Sequence, residues 1–266
     1  MNLLAGAIDP IAFETGALTV YWYGIIIAFA VFVGYFVAQK EAKRQNFPED
    51  TIADLLLISI PLAIIGARLY YVTFRFDHYA DNPLHILFIW EGGLAIHGAI
   101  FAGVIAAIVF TKRKSLSFWK LADVLAPALL LGQAIGRWGN FINQEVYGGE
   151  VSRSFLEQLF LPKRLIEQMF INGAYHQPTF LYESLWSLLG VGVLVWLRRK
   201  PFLRTGEIFL GYVIWYSVGR FIIEGIRTDY LLLFDTIRVA QLVSAAAVIF
   251  AIVWIFFTRK VERREL

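Results

Sequence analysis

Seven apolar stretches of about bilayer length follow one another along the chain, and a pattern of that kind leaves few folds open. A helix needs about 17 to 25 residues to cross the hydrocarbon of a membrane. The stretches are Val20 to Ala38, Ile52 to Phe74, Leu94 to Phe110, Leu121 to Gly136, Phe180 to Leu197, Ile208 to Ile223 and Val239 to Phe257. None has the alternation of a barrel strand. The expected fold is an all-α polytopic membrane protein with seven transmembrane helices, forming a single integral membrane domain over residues 1–266. A hydrophobic content of 58%, only 17% charged residues and a mean hydropathy of +0.62 exclude an ordinary soluble domain.

Basic residues near span ends stay on the cytoplasmic side. Four clusters hold most of the 24 Lys and Arg residues: Lys40, Lys43 and Arg44; Lys112, Arg113, Lys114 and Lys120; Arg198, Arg199, Lys200 and Arg204; Arg259, Lys260, Arg263 and Arg264. They follow spans one, three, five and seven, while the first 19 residues hold no Lys or Arg. The amino terminus is therefore expected outside and the carboxyl terminus in the cytoplasm. No basic stretch with a small-residue cleavage site precedes span one, so it reads as a retained helix.

The pI near 9.0 comes mainly from these loops, which suit anionic membrane lipids and not nucleic acid. Without cysteine the chain has no disulfide, thiolate metal site or cysteine nucleophile. Any thiol in its chemistry must come from a partner. No HExxH-like pattern points to zinc. No internal repeat is visible, which disfavours repeat-built transporters.

One large piece, Trp138 to Thr179, is expected outside the membrane as an extracytoplasmic cap between spans four and five. Apolar stripes (Phe155, Leu156, Leu159, Phe160, then Leu165, Ile166, Met169, Phe170) alternate with charges and predict two short amphipathic helices. Gly132 and Gly136 have the small-xxx-small spacing of close helix packing.

The alternating direction of the spans gives each polar residue a depth. Tyr23, Arg68, His97, Arg137, Glu183, Arg220 and Glu224 fall in one layer of the outer leaflet. An ionisable residue at membrane depth costs at least about 2.5 to 3.5 kcal/mol, so such groups face a cavity, a partner or a substrate. The run Gly136 to Gly148 (GRWGNFINQEVYG) adds Asn140, Asn143 and Glu145. Tyr216, Arg220, Glu224 and Arg227 share one helical face. They form either a polar seam or an ion pair that only locks helices. His97, flanked by glycines, is either a satisfied core histidine or part of this layer. His78, His85 and His176 read as ordinary loop residues.

Two or more arginines in a wet pocket suit phosphate, which the guanidinium fork binds in bidentate fashion. The ligand is then an anionic phospholipid. A transporter for an anionic substrate is the main rival. It needs a polar path to the inner face, where Asp54, Asp123 and Glu207 sit only at helix ends. Another enzyme acting on the same headgroup is the third reading.

Gly136 to Gly148, His97 with Gly98, Trp22 to Gly24, Pro178 to Glu183 (PTFLYE) and Tyr216 to Arg227 (YSVGRFIIEGIR) together resemble the prolipoprotein diacylglyceryl transferase family, in the same order over nearly the whole chain. The resemblance implies a bacterial cell-membrane enzyme. It would transfer the diacylglyceryl group of phosphatidylglycerol to the lipobox cysteine of a prolipoprotein and release glycerol phosphate. It implies Arg137 and Arg220 as phosphate ligands and leaving-group stabilisers, with His97 as the candidate base. Tyr23, Asn140, Glu145, Gly148, Tyr216, Glu224 and Arg227 are implied as pocket or support residues. No metal or organic cofactor is implied.

Overall fold

A computed structural model describes residues 7–16, 18–80, 82–233 and 236–265. In chain order its elements are β1 (Ile11–Thr15), β2 (Leu18–Tyr21), α1 (Trp22–Arg44), α2 (Thr51–Phe74), α3 (Asp77–Ala80), α4 (Ile96–Arg113), α5 (Phe118–Ile142), β3 (Glu150–Val151), α6 (Arg153–Gln158), α7 (Lys163–Gln168), β4 (Phe170–Ile171), β5 (Ala174–His176), α8 (Thr179–Leu197), α9 (Glu207–Glu224), β6 (Leu232–Leu233), β7 (Ile237–Arg238) and α10 (Val239–Glu265). Two 3-10 turns, Pro83–Leu87 and Ile89–Glu91, lie between α3 and α4.

Six of these helices are long and apolar enough to cross a membrane: α1, α2, α4, α5, α8 and α10 through Lys260. The protein is a polytopic membrane protein. Large apolar side chains stand exposed along them, among them Phe32, Leu57, Ile105 and Phe256, as lipid-facing helices require. At 18 residues α9 has the length, but Glu207, Arg220 and Glu224 make it more polar than the six.

The chain packs as two compact units, Met1–Val37 with Leu125–Leu266, and Ala38–Val124. In the first unit, Ala126 and Leu130 of α5 form a core with Leu194 of α8 and Ile208 of α9. The α8–α9 contact is built from a Trp-xxx-Gly pattern used twice. The Trp186 and Trp215 rings stack 4.6 Å apart, and each indole N–H donates to the other's backbone carbonyl, at 3.0 and 2.9 Å. Gly219 lies under Trp186 and Gly190 under Trp215, where a Cβ would collide with the indole. Arg259 of α10 closes a two-pronged ion pair on Glu207, with both contacts at 2.6 Å. The side chains of Arg263 and Arg264 lie outside the described residues.

Between α5 and α8 the two expected short helices appear as α6 and α7, together with a three-stranded sheet in the order β3-β5-β4 that the apolar stripes do not announce. Leu156, Ile166 and Met169 are buried with Phe141, Ile171 and Phe180 in a separate small core, whereas Phe160 is almost fully exposed. α5 itself runs six residues past Gly136, so Arg137, Trp138 and Asn140 are helical. Gly139 does not end it. Its missing Cβ is occupied by the Tyr23 ring, which would stand 2.5 Å away. Among the described residues a Cβ on Gly132 would meet nothing within 4 Å and one on Gly136 would meet Ile27 at 3.5 Å, so the expected small-xxx-small pair is not a point of close backbone approach.

In the second unit α2 and α4 pack most tightly where Gly66 faces Gly98. A Cβ on Gly66 would lie 2.7 Å from the Gly98 carbonyl oxygen, and a Cβ on Gly98 would collide with that of Gly66. Asp54 and Lys114 form an exposed ion pair at 3.0 Å.

Candidate functional site

In the first unit α5, α8 and α9 bring charges together on facing sides of a narrow cleft lined by Arg137, Glu183, Trp186, Ser187, Tyr216 and Arg220. Arg137 follows the buried Ala126, Leu130 and Ala134 along α5. Glu183 lies one turn into α8. Arg220 follows Tyr216 by one turn on α9, and Tyr216 stacks on Tyr212.

Glu183 is the centre of the cluster. Its Oε2 contacts Arg137 Nε directly, and its Oε1 lies 3.6 Å from Arg220 Nη1 and 3.9 Å from Arg227 Nη1. Glu224 stands behind, 2.7 Å from Arg220 Nη2 and 3.9 Å from Arg227 Nε. Three guanidiniums thus share two buried carboxylates. The Arg137 and Arg220 side chains are 19% and 20% exposed, against 7% for Glu183 and 2% for Glu224. The cations face the opening and the anions face the protein. Arg220 Nη1 is buried without a hydrogen bond, as are both Glu183 oxygens. The cluster therefore holds charge at ion-pair range and leaves an Arg220 N–H without an acceptor, a donor that a tetrahedral oxyanion could accept from.

Arg227, just beyond α9, is held differently. Burial opposes its charge, but two hydrogen bonds to Asp229 at 3.0 and 2.7 Å, with the charges of Asp229, Glu183 and Glu224, raise its pKa above the ordinary arginine value. It is fixed as a cation and committed to Asp229.

A second small cavity is lined by Asn140, Gln144, Glu145, Tyr147 and Thr179. Asn140 Nδ2 donates to Glu145 Oε1 at 2.8 Å, and the Glu145 N–H donates to the Asn140 carbonyl at 3.0 Å. The turn that brings Glu145 back needs left-handed backbone at Gln144 (φ 52°) and Val146 (φ 60°). Such backbone costs of order 1 to 3 kcal/mol per residue and persists only when its surroundings over-determine it. Thr179 Oγ1 donates to the Val146 carbonyl and Gln144 Nε2 to the Gln168 carbonyl at 2.8 Å. Tyr23, packed on Gly139, has Glu145 and Arg137 as its charged neighbours.

Gly148 supports the site without lining either cavity. It bridges Arg227 in antiparallel fashion, and its N–H donates to the Gln177 carbonyl at 3.1 Å. An added Cβ would lie 2.8 Å from the Cβ of Gln177. His176 Nδ1 meets the Gly148 carbonyl at 2.9 Å and its ring packs on Tyr147. For His176, the loop reading gives way to a buried support role.

Of the residues expected from sequence, Arg137, Tyr216, Arg220 and Glu224 come together, with Arg227 beside them. Asn140, Glu145 and Tyr23 group around the end of α5. His97 belongs to the other unit, in the first turn of α4, exposed, its ring 5.9 Å from that of Tyr70. Arg68, placed by sequence in the same polar layer, has its donors turned onto backbone carbonyls instead of a cavity. The sequence puts Glu183 in the layer without a role. An acid one turn into an apolar helix, opposite several arginines, was the available signal.

The chain matches the family described as prolipoprotein diacylglyceryl transferase over residues 10–257. It is 57% identical over 250 residues to the phosphatidylglycerol--prolipoprotein diacylglyceryl transferase of Shouchella clausii, covering 94% of this chain and 90% of that protein. The protein of the same name from Halalkalibacterium halodurans is 54% identical over 259 residues, 97% of this chain and 89% of its own. That from Bacillus licheniformis is 52% identical over 266 residues, 100% and 98% of the two chains. Matched from β1 to the last long helix, with every residue of both cavities inside the match, the chain belongs to the prolipoprotein diacylglyceryl transferase family.

Proposed function

We propose that this transferase moves the diacylglyceryl group of phosphatidylglycerol onto the lipobox cysteine thiol of a prolipoprotein, the first step of bacterial lipoprotein maturation, and that the cleft between α5, α8 and α9 holds the lipid phosphate. The observation that carries this reading is the pair of open guanidiniums, Arg137 and Arg220, backed by the buried Glu183. In the reaction the thiolate sulfur attacks the glycerol carbon that bears the phosphate. A C–S bond forms, the C–O bond breaks, and glycerol phosphate leaves with the electron pair. Arg137 and Arg220 would neutralise the charge that grows on the leaving oxygen, where preorganised donors act most strongly.

His97 is the candidate to take the thiol proton, as the imidazole best suited on this chain to general base catalysis. Tyr23, Asn140 and Glu145 would receive the glycerol hydroxyls, while Tyr216 closes the cleft beside Arg220. Glu224, Arg227 and Gly148 hold the arginines in register.

The spans α1, α2, α4, α5, α8 and α10 together with α9 would make seven, with the amino terminus outside, residues 138–179 as an extracytoplasmic cap and 1–266 as one integral domain. The site then opens to the outer leaflet of the cell membrane, where the lipid substrate and a translocated prolipoprotein meet. The basic clusters support this orientation.

The test is incubation of the purified protein with phosphatidylglycerol and a lipobox peptide in Cys and Ser forms. A diacylglyceryl mass gain on the Cys peptide alone is expected. No gain on either peptide, with an active relative in parallel, would bring forward the transporter.

A further inference from the structure

Arg68 is 5% exposed, and every one of its donors is engaged. A guanidinium has five N–H groups. Nε donates to the Ile86 carbonyl at 2.9 Å, Nη1 to those of Gly92 at 2.5 Å and Gly93 at 3.2 Å, and Nη2 to those of His85 at 2.5 Å and Phe88 at 3.3 Å. The Tyr79 ring covers the group, its centroid 5.1 Å from Arg68 Cζ. Irregular backbone beside a bilayer needs its polar groups met from within the protein, and here one side chain meets five carbonyls.

This strap leads directly into α4. Gly92 and Gly93 turn with φ of 89° and 71°, and a Cβ on Gly93 would lie 2.5 Å from Arg68 Nη1. The Ala95 N–H then donates to the carbonyl of Ala67, the neighbour of Arg68, at 3.0 Å. His97 follows two residues later, and Gly98 is pressed against Gly66. Arg68 and His97 are thus joined by a short series of close contacts with little slack.

We infer that Arg68 is a positioning residue for the transfer reaction, acting through His97 by fixing the course of the strap that enters α4. This rests on the reading of His97 as the thiol's proton acceptor. Lysine, with three donors and no planar fork, cannot reproduce the five-carbonyl grip.

The test uses the full-length protein in phosphatidylglycerol-containing nanodiscs, with Arg68→Lys, Arg68→Gln, His97→Gln and the Arg68→Lys/His97→Gln double variant. Arg68→Lys is expected to lower kcat about tenfold with the peptide KM changed less than about twofold, and Arg68→Gln to lower it further. The double variant should be no slower than His97→Gln alone, because coupled residues are not additive. The chain has no cysteine, so Leu94→Cys takes a single spin label, whose spectrum should sharpen in either Arg68 variant. If Arg68→Gln fails to insert, Arg68→Lys carries both measurements. A double variant that loses the product of the two single losses, or a label spectrum unchanged in the Arg68 variants, overturns the inference. A His97→Gln enzyme with the original rate and pH profile removes the reading of His97 itself, and with it the route by which Arg68 acts.

Discussion

Arg68 on one side and Arg137 with Arg220 on the other are partnered in opposite ways. Arg68 spends all five donors on neutral backbone carbonyls. Arg137 and Arg220 share the carboxylate of Glu183, remain about one-fifth exposed, and leave a buried donor on Arg220 unused. The first arrangement holds a chain segment in shape, and a ligand could enter only by breaking it. The second stores charge over an opening. An arginine at membrane depth is a functional candidate by default, but the difference shows that the partner decides between scaffold and site.

The sharpest way to break the comparison is at Glu183. Glu183→Gln takes the carboxylate partner from Arg137, while Arg220 keeps Glu224 and Arg227 keeps Asp229. Breaking a buried pair from one side costs about 3 to 5 kcal/mol, so the thermal midpoint in detergent should fall clearly. An unchanged midpoint would mean that the carboxylate does not organise the cluster.

Arg137→Ala should come next, with a loss of about 100- to 1,000-fold in transfer, roughly 2.7 to 4 kcal/mol of leaving-group stabilisation, while the protein still inserts. Peptide mass gain measures the rate, and size-exclusion elution reports insertion. Near-normal transfer would remove the phosphate role.

Gly139→Ala tests how finely the site is framed. The new methyl group meets the Tyr23 ring, and overpacking of this kind costs about 1 to 3 kcal/mol. A midpoint lowered by that amount is expected; an unaltered one would show that Tyr23 yields freely. Smallest of all is Asp54→Asn, which breaks an exposed ion pair with Lys114. A change within about 1 kcal/mol is expected in chemical unfolding, and a larger one would mean that surface pairs rival the buried cluster.

Much of this was legible in the residues. Apolar length places the start of each long helix to within about three residues because the bilayer imposes one scale on every span, while the ends of α1, α5 and α10 run six to eight residues further than expected. The start of α1 moved from Val20 to Trp22 because residues 18–21 pair with β1 instead. α5 runs beyond the apolar stretch that ends at Gly136, because Arg137, Trp138 and Asn140 are polar or amphipathic yet helical. Gly139 is tolerated in the helix because an aromatic ring takes the place of its side chain. The sheet between α5 and α8, built from strands of two or three residues, is too short to leave a periodic signal. Arg68 and Arg137 look alike in sequence, each set near the outer end of an apolar run.

By itself, then, the sequence determined that this chain enters a membrane through several helices, which polar residues it carries there, and which family motifs they compose. Those properties follow from hydropathy and residue type, which are local. Packing in space, in contrast, settles which arginine meets carbonyls and which meets Glu183, that Gly148 bridges Arg227, and that α8 and α9 lock through reciprocal tryptophans. A hydrogen bond or an ion pair depends on atoms a few ångströms apart in space, and residues 68 and 92, or 137 and 183, acquire that proximity only when the helices pack.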